Sequence, residues 1–383
     1  MDLTGYGLTI FWAVALGVAA AAILWTQTHK RRASQAPRLY LEALRAIVVG
    51  DDHTAFERLK AVVNEDSNYL DAYLKLGDLL RRRGRHDRAI RVHEDLTLRL
   101  GMPKDDVVAV QKSLAQDYLA AGKPAEAESA LRKILELQKD HQWAVEKLVH
   151  LLEQDGRFEE AYETRRDALK RAGQSDGHLL ALYKALEGLK VSANGKGHEA
   201  RLSLKEALGH DAKCLPALLY LGDSYWREGR HEEAVEWWTK FAESEPRAAH
   251  VVFERLRKAY FELGQFGEIT QVYEHTLEAD PKNTPALLGL AELALKKGEY
   301  DNALAQFRHV LDIDSDNVAA RAGIVRVLVE QKRLRDASNE IDALLETTPF
   351  HRGGYTCRRC GHRAEEPTWL CPKCKGVETF QLF

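Results

Sequence analysis

Residues 221–246 read LGDSYWREGRHEEAVEWWTKFAESEP, and this stretch decides the fold class. Gly229 interrupts two helix-forming segments, Ala234 follows five residues later, and the bulky Trp238 lies four residues beyond it. Glycine readily adopts the left-handed turn that ends a helix, and two antiparallel helices approach closely where a side chain is small. The stretch therefore predicts one helical hairpin, whose large side chain fills the joint to the next hairpin.

The same pattern recurs along most of the chain. The turn positions follow one another at intervals of 34 to 39 residues, and they are Gly50, Gly84, Gly122, Gly156, Gly195, Gly229, Gly264 and Gly298, followed by Lys332. The small or aliphatic residues five positions later are Ala55, Ala89, Ala127, Ala161, Ala200, Ala234, Ile269, Ala303 and Ala337. Such a period is typical of stacked helical pairs. We predict nine hairpins between about residues 36 and 351, with additional residues around 104–141 and 176–214.

Each joint between hairpins is expected to contain a large side chain four positions after the small residue. The residues that fit this expectation are Leu59, Leu131, Leu204, Trp238, Tyr273, Phe307 and Ile341. His93 and Arg165 depart from it. The pattern still predicts an all-α array over most of the chain.

The composition is that of a helical protein without a recognisable catalytic centre. Of the 383 residues 45% are apolar and 30% are charged, and the formal net charge of −3 gives no positive field for a nucleic acid partner. The sequence contains no phosphate-binding loop, dinucleotide-binding glycine motif, zinc-protease motif or serine-hydrolase motif. We therefore predict a protein that is not an enzyme and has no small-molecule substrate.

The N-terminal segment is predicted to anchor the chain in a membrane. Residues 3–28 include no formal charge, and a helix of this length crosses the ~30 Å hydrocarbon layer. Lys30, Arg31 and Arg32 follow at once and are expected to stay in the cytoplasm. A cleaved signal peptide is the alternative, although Asp2 stands where a basic segment is typical. We expect an anchor at 1–29, an array at 30–351 in the cytoplasm, and a separate segment at 352–383.

Four of the five cysteines form two Cys-x-x-Cys pairs near the C-terminus: Cys357, Cys360, Cys371 and Cys374. Two such turns present four thiolates to one ion, as in a zinc ribbon or rubredoxin knuckle. We predict a structural Zn²⁺ site in residues 352–383, with iron as the alternative because the same ligands can hold it. Cys214 stands alone and is expected to be a buried structural thiol.

Several motifs carry a resemblance to a known family. The segment 221–246 resembles the tetratricopeptide repeat. Residues 76–84 (LGDLLRRRG), 355–361 (YTCRRCG) and 369–374 (WLCPKC) resemble the second repeat and the tail of the lipopolysaccharide assembly protein B family of Gram-negative bacteria. The order of anchor, tetratricopeptide array and four-cysteine tail is similar as well.

This resemblance implies a single-pass protein of the bacterial inner membrane with its C-terminal part in the cytoplasm. It implies an adaptor that presents the lipid A pathway deacetylase to a membrane AAA+ protease, so that lipopolysaccharide synthesis is regulated. In tetratricopeptide repeats the inner face is lined mainly by first helices. The resemblance therefore implies a partner-binding groove at Asp78, Arg81, Arg82, Gln116, Asp223, Trp226, Arg227, Lys258 and Phe261.

Two other functions remain open at the level of sequence. One is a membrane-tethered electron carrier similar to rubredoxin, which requires iron in the four-cysteine site. The other is a nucleic-acid-binding ribbon, for which Arg358, Arg359 and Lys373 provide positive charge. Glu365 and Glu366 dilute that charge and disfavour nucleic acid.

Overall fold

The computed structural model of the chain describes residues 35–347, 355–366 and 368–380, without the side chains of 346 and 347. The chain divides into two compact units after Leu148. In the first unit the helices are α1 Ala36–Val49, α2 Asp52–Glu65, α3 Leu70–Arg82, α4 His86–Thr97, α5 Lys104–Ala120 and α6 Pro124–Leu137. Helix α7, Gln142–Gln154, includes the point of division.

The second unit contains the remaining helices and a small strand pair. The helices are α8 Phe158–Arg171, α9 Gly177–Ala193, α10 Gly197–His210, α11 Leu215–Arg227, α12 His231–Ser244, α13 His250–Glu262, α14 Glu268–Ala279, α15 Thr284–Lys297, α16 Tyr300–Ile313, α17 Val318–Glu330 and α18 Leu334–Thr347. A 3₁₀ turn covers Pro246–Ala248. Strands β1 Tyr355–Thr356 and β2 Arg363–Ala364 pair antiparallel.

The predicted turn positions are confirmed. All eight periodic glycines have positive φ, between 66° and 80°, and Lys332 at the ninth position has φ 63°. A left-handed conformation costs a residue with a side chain roughly 1–2 kcal/mol, so the turn at Lys332 is kept by the helices on either side of it. The eighteen helices of the described residues follow one another as the nine predicted pairs. The additional residues lengthen the first helices α5 and α9 to 17 residues each.

The small residues of the repeat lie at the close approach between paired helices. Eight alanines and Ile269 are at most 3% exposed. At the joint, Trp238 is 1% exposed and packs over Gly222, where an added Cβ would be 2.3 Å from the indole nitrogen. The expectation of a buried large residue is wrong at Ile341, which is 42% exposed. No further hairpin follows α18 in the part of the chain that the structure describes, so Ile341 has no joint to fill.

His93 is buried although it departs from the apolar pattern. Its Nδ1 lies 2.5 Å from an Asp117 oxygen, and its Nε2 lies 3.2 Å from the carbonyl oxygen of Leu74. The other Asp117 oxygen accepts from Arg81 at 2.7 Å. Both ring nitrogens of His93 therefore have a hydrogen-bond partner, so this imidazole can be buried where the other repeats place a large apolar side chain.

Within the described residues, no helix has the length and apolar content needed to cross a bilayer. The predicted anchor at 1–29 lies outside those residues.

Candidate metal centre and repeat groove

The C-terminal segment 355–380, called the knuckle below, contains two matching turns, each carrying one Cys-x-x-Cys pair. In the first, the Gly361 N–H donates to the carbonyl of Cys357 at 2.9 Å. In the second, the Lys375 N–H donates to the carbonyl of Cys371 at 2.9 Å. Gly361 and Lys375 both have positive φ, 70° and 55°. The left-handed residue four positions after the first cysteine closes each turn and directs the two thiols of its pair inward.

The two turns bring the four predicted cysteine sulfurs together, all within 4.8 Å of one another. Cys357 Sγ lies 3.7 Å from Cys374 Sγ, and Cys360 Sγ lies 3.6 Å from Cys371 Sγ. A tetrahedron with metal–sulfur bonds of about 2.3 Å has sulfur–sulfur edges of about 3.8 Å. The four sulfurs therefore fit a tetrahedral metal ion, and both zinc and iron accept this ligand set.

The surroundings of Cys357 favour its thiolate form, which is the form that binds metals. Burial by itself would raise the pKa of this thiol. Hydrogen bonding with the Thr379 hydroxyl and with the backbone N–H groups of Cys360 and Arg359 outweighs burial and lowers the pKa of Cys357, whereas contact with the other cysteine sulfurs raises the pKa of Cys360. His362, a nearby imidazole, is not part of the sulfur cluster. Cys214 is also outside it, fully buried in the second unit, and burial raises the pKa of its thiol to about 12.

The knuckle packs through two aromatic side chains against first helices of the second unit. Trp369 is 4% exposed and meets the Tyr220 ring of α11 edge to face, with centroids 5.9 Å apart. Tyr355 stacks nearly parallel to His250 at the start of α13, with its hydroxyl oxygen 3.2 Å from the imidazole Nε2. Burial lowers the pKa of His250, so the neutral imidazole is the form that suits this contact.

Charged contacts flank the aromatic ones. His178 in α9 lies between two carboxylates, 2.8 Å from Asp211 and 3.0 Å from Glu378 of the knuckle. Burial disfavours the imidazolium, but the hydrogen bonds to Asp211 and Glu378 prevail and raise the pKa of His178. Arg255 in α13 lies 3.6 Å from Glu366. The knuckle therefore contacts the first helices of three successive hairpins.

Four of the predicted groove residues line a cavity whose opposite wall belongs to the knuckle. This cavity of about 480 Å³ is lined by Asp223, Trp226, Arg227 and Lys258, among others, and by Tyr355, Glu365 and Glu366 from the knuckle. At its base, Asp223 accepts hydrogen bonds from Arg255 at 3.0 Å and from Trp238 at 3.2 Å. Burial raises the pKa of Asp223 in spite of these partners.

The other predicted groove residues lie elsewhere. Phe261 is 66% exposed and lines a separate pocket of the second unit. In the first unit, Asp78 and Arg81 form an ion pair at 2.6 Å, and Arg81 also contacts the buried Asp117. Arg82 is exposed on α3 and Gln116 is half-buried on α5. Four of the nine predicted residues thus share one cavity of the second unit, Phe261 lines another pocket of that unit, and Asp78 and Arg81 belong to the ion-pair network around Asp117.

Sequence reasoning missed the residues that hold the knuckle. A signal was nevertheless present, because Tyr220 and Arg255 both lie nine positions before their turn glycines, Gly229 and Gly264. Among the predicted groove residues, Asp223 and Lys258 share one repeat position, six residues before the turn glycine. Trp226 and Phe261 share another, three residues before it. Comparing repeat positions would therefore have added Tyr220 and Arg255 to the candidates.

Comparisons with known proteins agree with this architecture. Three sequence models described as tetratricopeptide repeat match residues 118–186, 260–305 and 294–352, residues 187–249, and residues 72–105, together more than half of the chain. Lipopolysaccharide assembly protein B of Escherichia coli K12 is 20% identical over 357 residues, 93% of this chain and 92% of that protein. The protein of the same name from Haemophilus influenzae is 22% identical over 324 residues, 83% of this chain and 80% of that protein.

Among solved structures, a tetratricopeptide repeat protein from Parabacteroides merdae matches with 14% identity and a TM-score of 0.34. It covers 77% of this chain and 99% of that one. A score of this size supports no conclusion about function. From the repeat geometry and the sequence matches, the chain belongs to the tetratricopeptide-repeat family, and most of its length is similar to lipopolysaccharide assembly protein B.

Proposed function

We propose that this chain is a non-enzymatic adaptor that regulates lipopolysaccharide synthesis at the bacterial inner membrane. Its partners would be the lipid A pathway deacetylase, as client, and a membrane AAA+ protease, with residues 1–29 as a single-pass anchor and the rest in the cytoplasm. The similarity to lipopolysaccharide assembly protein B over 93% of the chain carries this proposal.

The groove of the second unit supports a binding role. The cavity between the repeats and the knuckle contains carboxylates, cations and an indole, and several of its charged groups form ion pairs. Asp223 pairs with Arg255, and Glu254 pairs with Arg257 and Lys258. Such paired groups provide orientation and specificity for a protein partner, and none is set next to a nucleophile.

The knuckle would act as a structural part of this adaptor, held together by Zn²⁺ through its four cysteines. An ion bound there would join the two Cys-x-x-Cys turns and keep Tyr355 and Trp369 in position against the repeats. Electron transfer through iron in the same site is the competing function. It predicts a visible thiolate-to-iron absorption band in the purified protein.

An affinity purification of the tagged full chain from detergent-solubilised native membranes tests the proposal, with an untagged strain as the control. We expect mass spectrometry to recover the deacetylase and the AAA+ protease, and metal analysis of the same sample to find zinc. Recovery of redox proteins together with iron, and of neither expected partner, would overturn the adaptor proposal in favour of electron transfer.

A further inference from the structure

Two phenylalanines of the second unit form an exposed aromatic pair. Phe261 at the end of α13 is 66% exposed, and Phe266 in the following turn is 63% exposed. Their rings meet edge to face with centroids 5.5 Å apart. Among the large apolar side chains of the described ranges, no other phenylalanine, tyrosine or tryptophan is as exposed. Exposed aromatic pairs of this kind are typical of binding surfaces.

Local sequence explains why Phe266 stays outside the core. Phe158 occupies the same position of its own hairpin, two residues after the turn glycine, and is only 4% exposed because α8 begins with it. After Phe266 comes Gly267, and α14 begins only at Glu268. The later start of the helix leaves Phe266 in the turn, where it packs against Phe261 instead of entering the joint.

The aromatic pair lines a concave pocket of about 530 Å³. Its apolar wall is completed by Tyr260, Ile269 and Leu293, which come from three different helices. A pocket of this size accepts one large apolar side chain together with part of the backbone that carries it. A concave apolar site fits an inserted side chain better than it fits the flat surface of a lipid bilayer.

The rim of the pocket is positively charged. Four cations and two carboxylates line it: Arg257, Lys258, Lys296, Lys297, Glu254 and Glu262. Glu254 is already shared between Arg257 and Lys258. Lys296 and Lys297 are exposed at the end of α15, and neither forms an ion pair with any side chain that the structure describes. Two uncompensated ammonium groups next to an apolar pocket favour an acidic ligand.

We propose that this pocket binds an acidic amphipathic segment of a partner protein, which inserts an aromatic or long aliphatic side chain between Phe261 and Phe266. Carboxylates of the same segment contact Lys296 and Lys297. This proposal rests on the proposed function only in so far as an adaptor works by binding proteins, and it adds the place and the chemistry of one such contact. The pocket is separate from the cavity beside the knuckle, with Glu254 and Lys258 on the rim of both.

Fluorescence anisotropy with the metal-loaded full chain tests this inference. The probe is a fluorescein-labelled 16-residue helical peptide with leucine and phenylalanine at helical spacing and glutamate elsewhere. Two matched peptides replace either the glutamates by lysine or the apolar anchors by alanine. We expect binding of the first peptide at least tenfold tighter than that of either matched peptide, weakening as salt increases because the rim contacts are charged.

Matched variants of the chain locate the binding site. Phe261→Ser combined with Phe266→Ser, and separately Lys296→Glu combined with Lys297→Glu, are each expected to weaken binding at least tenfold. Leu202→Ser removes an apolar side chain that is 59% exposed on α10 and should leave binding unchanged. All four substituted pocket residues are exposed, so the thermal unfolding transition should be retained in both double variants.

Four outcomes would overturn the proposal. Equal binding of the three peptides would exclude recognition of charge and anchor. Displacement of the peptide by soluble short-chain phosphatidylglycerol, with the lipid itself binding through Phe261 and Phe266, would assign the pocket to lipid. A dimer in sedimentation equilibrium that the phenylalanine variant converts to monomer would assign it to a second copy of the chain. If the peptide fails to bind while the deacetylase and protease are still recovered from membranes, only this inference fails.

Discussion

Replacing both Cys371 and Cys374 by serine is expected to unfold the knuckle while the helical repeats stay intact. The largest side chains that the knuckle buries are Trp369, 4% exposed, and Phe380, 8% exposed. A large buried apolar side chain contributes roughly 1.5–3 kcal/mol, whereas a structural zinc site contributes about 10–16 kcal/mol. The metal therefore outweighs both aromatic side chains together. Without it, the short strands β1 and β2 have no sufficient source of stability.

Metal analysis and hydrogen exchange on the full chain measure this effect. We expect the metal content to fall from about one ion per chain to none, and the amides of 355–380 to exchange rapidly. The helical circular dichroism should hardly change, because the knuckle contains no helix in its described residues. Cys214→Ala is the matched control, since this thiol lies outside the sulfur cluster and its removal should leave the metal in place.

Three results would refute this reasoning. Full metal content in the double serine variant would mean that Cys371 and Cys374 are not ligands of the ion. A knuckle that stays protected from exchange after losing its metal would mean that packing against Tyr220 and His250 is sufficient to fold it. A variant that has lost its helical signal as well would show that the repeats depend on the knuckle, contrary to the expected independence.

Two further predictions concern buried and titratable groups. Asp117→Ala should lower the free energy of unfolding by about 3–5 kcal/mol, because it leaves the buried His93 and the half-buried Arg81 without their shared carboxylate. A loss below about 1 kcal/mol in urea unfolding would contradict this. Packing of the knuckle should be tightest near pH 6.5, the ordinary pKa of histidine. The pKa of His178 is raised, so its contribution to the packing of the knuckle is complete below pH 6.5 and is lost as the pH rises through the raised pKa. The pKa of His250 is lowered, so its contribution is complete above pH 6.5 and is lost as the pH falls through the lowered pKa. Exchange of the knuckle amides, corrected for intrinsic rates, should follow this profile, with His178→Gln removing only the alkaline limb and His250→Gln only the acidic one.

The sequence was sufficient to predict the repeat because the forces that set it are local. A helix-ending turn needs a left-handed residue, and the period identified even Lys332, which has the backbone of the glycines that precede it. A close helix–helix contact needs a small residue, and the alanines five positions later are all buried. The four-cysteine cluster was predictable for the same reason, since two short turns define it.

The packing of the knuckle could not be predicted, because it depends on where the chain returns after α18. The segment between α18 and β1 lies outside the repeat pattern, so periodicity gives no information on which helices the knuckle meets. His178 and His250 also look like ordinary polar positions of first helices until Glu378 and Tyr355 lie beside them. The exposure of Phe266 could not be predicted either, because it results from the later start of helix α14, which begins only after Gly267.

The contact between His178 and Glu378 joins positions 200 residues apart, and this separation has a consequence for how the chain matures on the ribosome. At about 5–20 residues per second, roughly 10–40 s separate the synthesis of the two side chains. Tyr220 and His250 are synthesised within that interval, and both stay uncovered until Trp369 and Tyr355 of the knuckle follow. With the metal-dependent folding of the knuckle expected above, the supply of that ion, rather than helix formation, would determine when the nascent protein covers these two side chains.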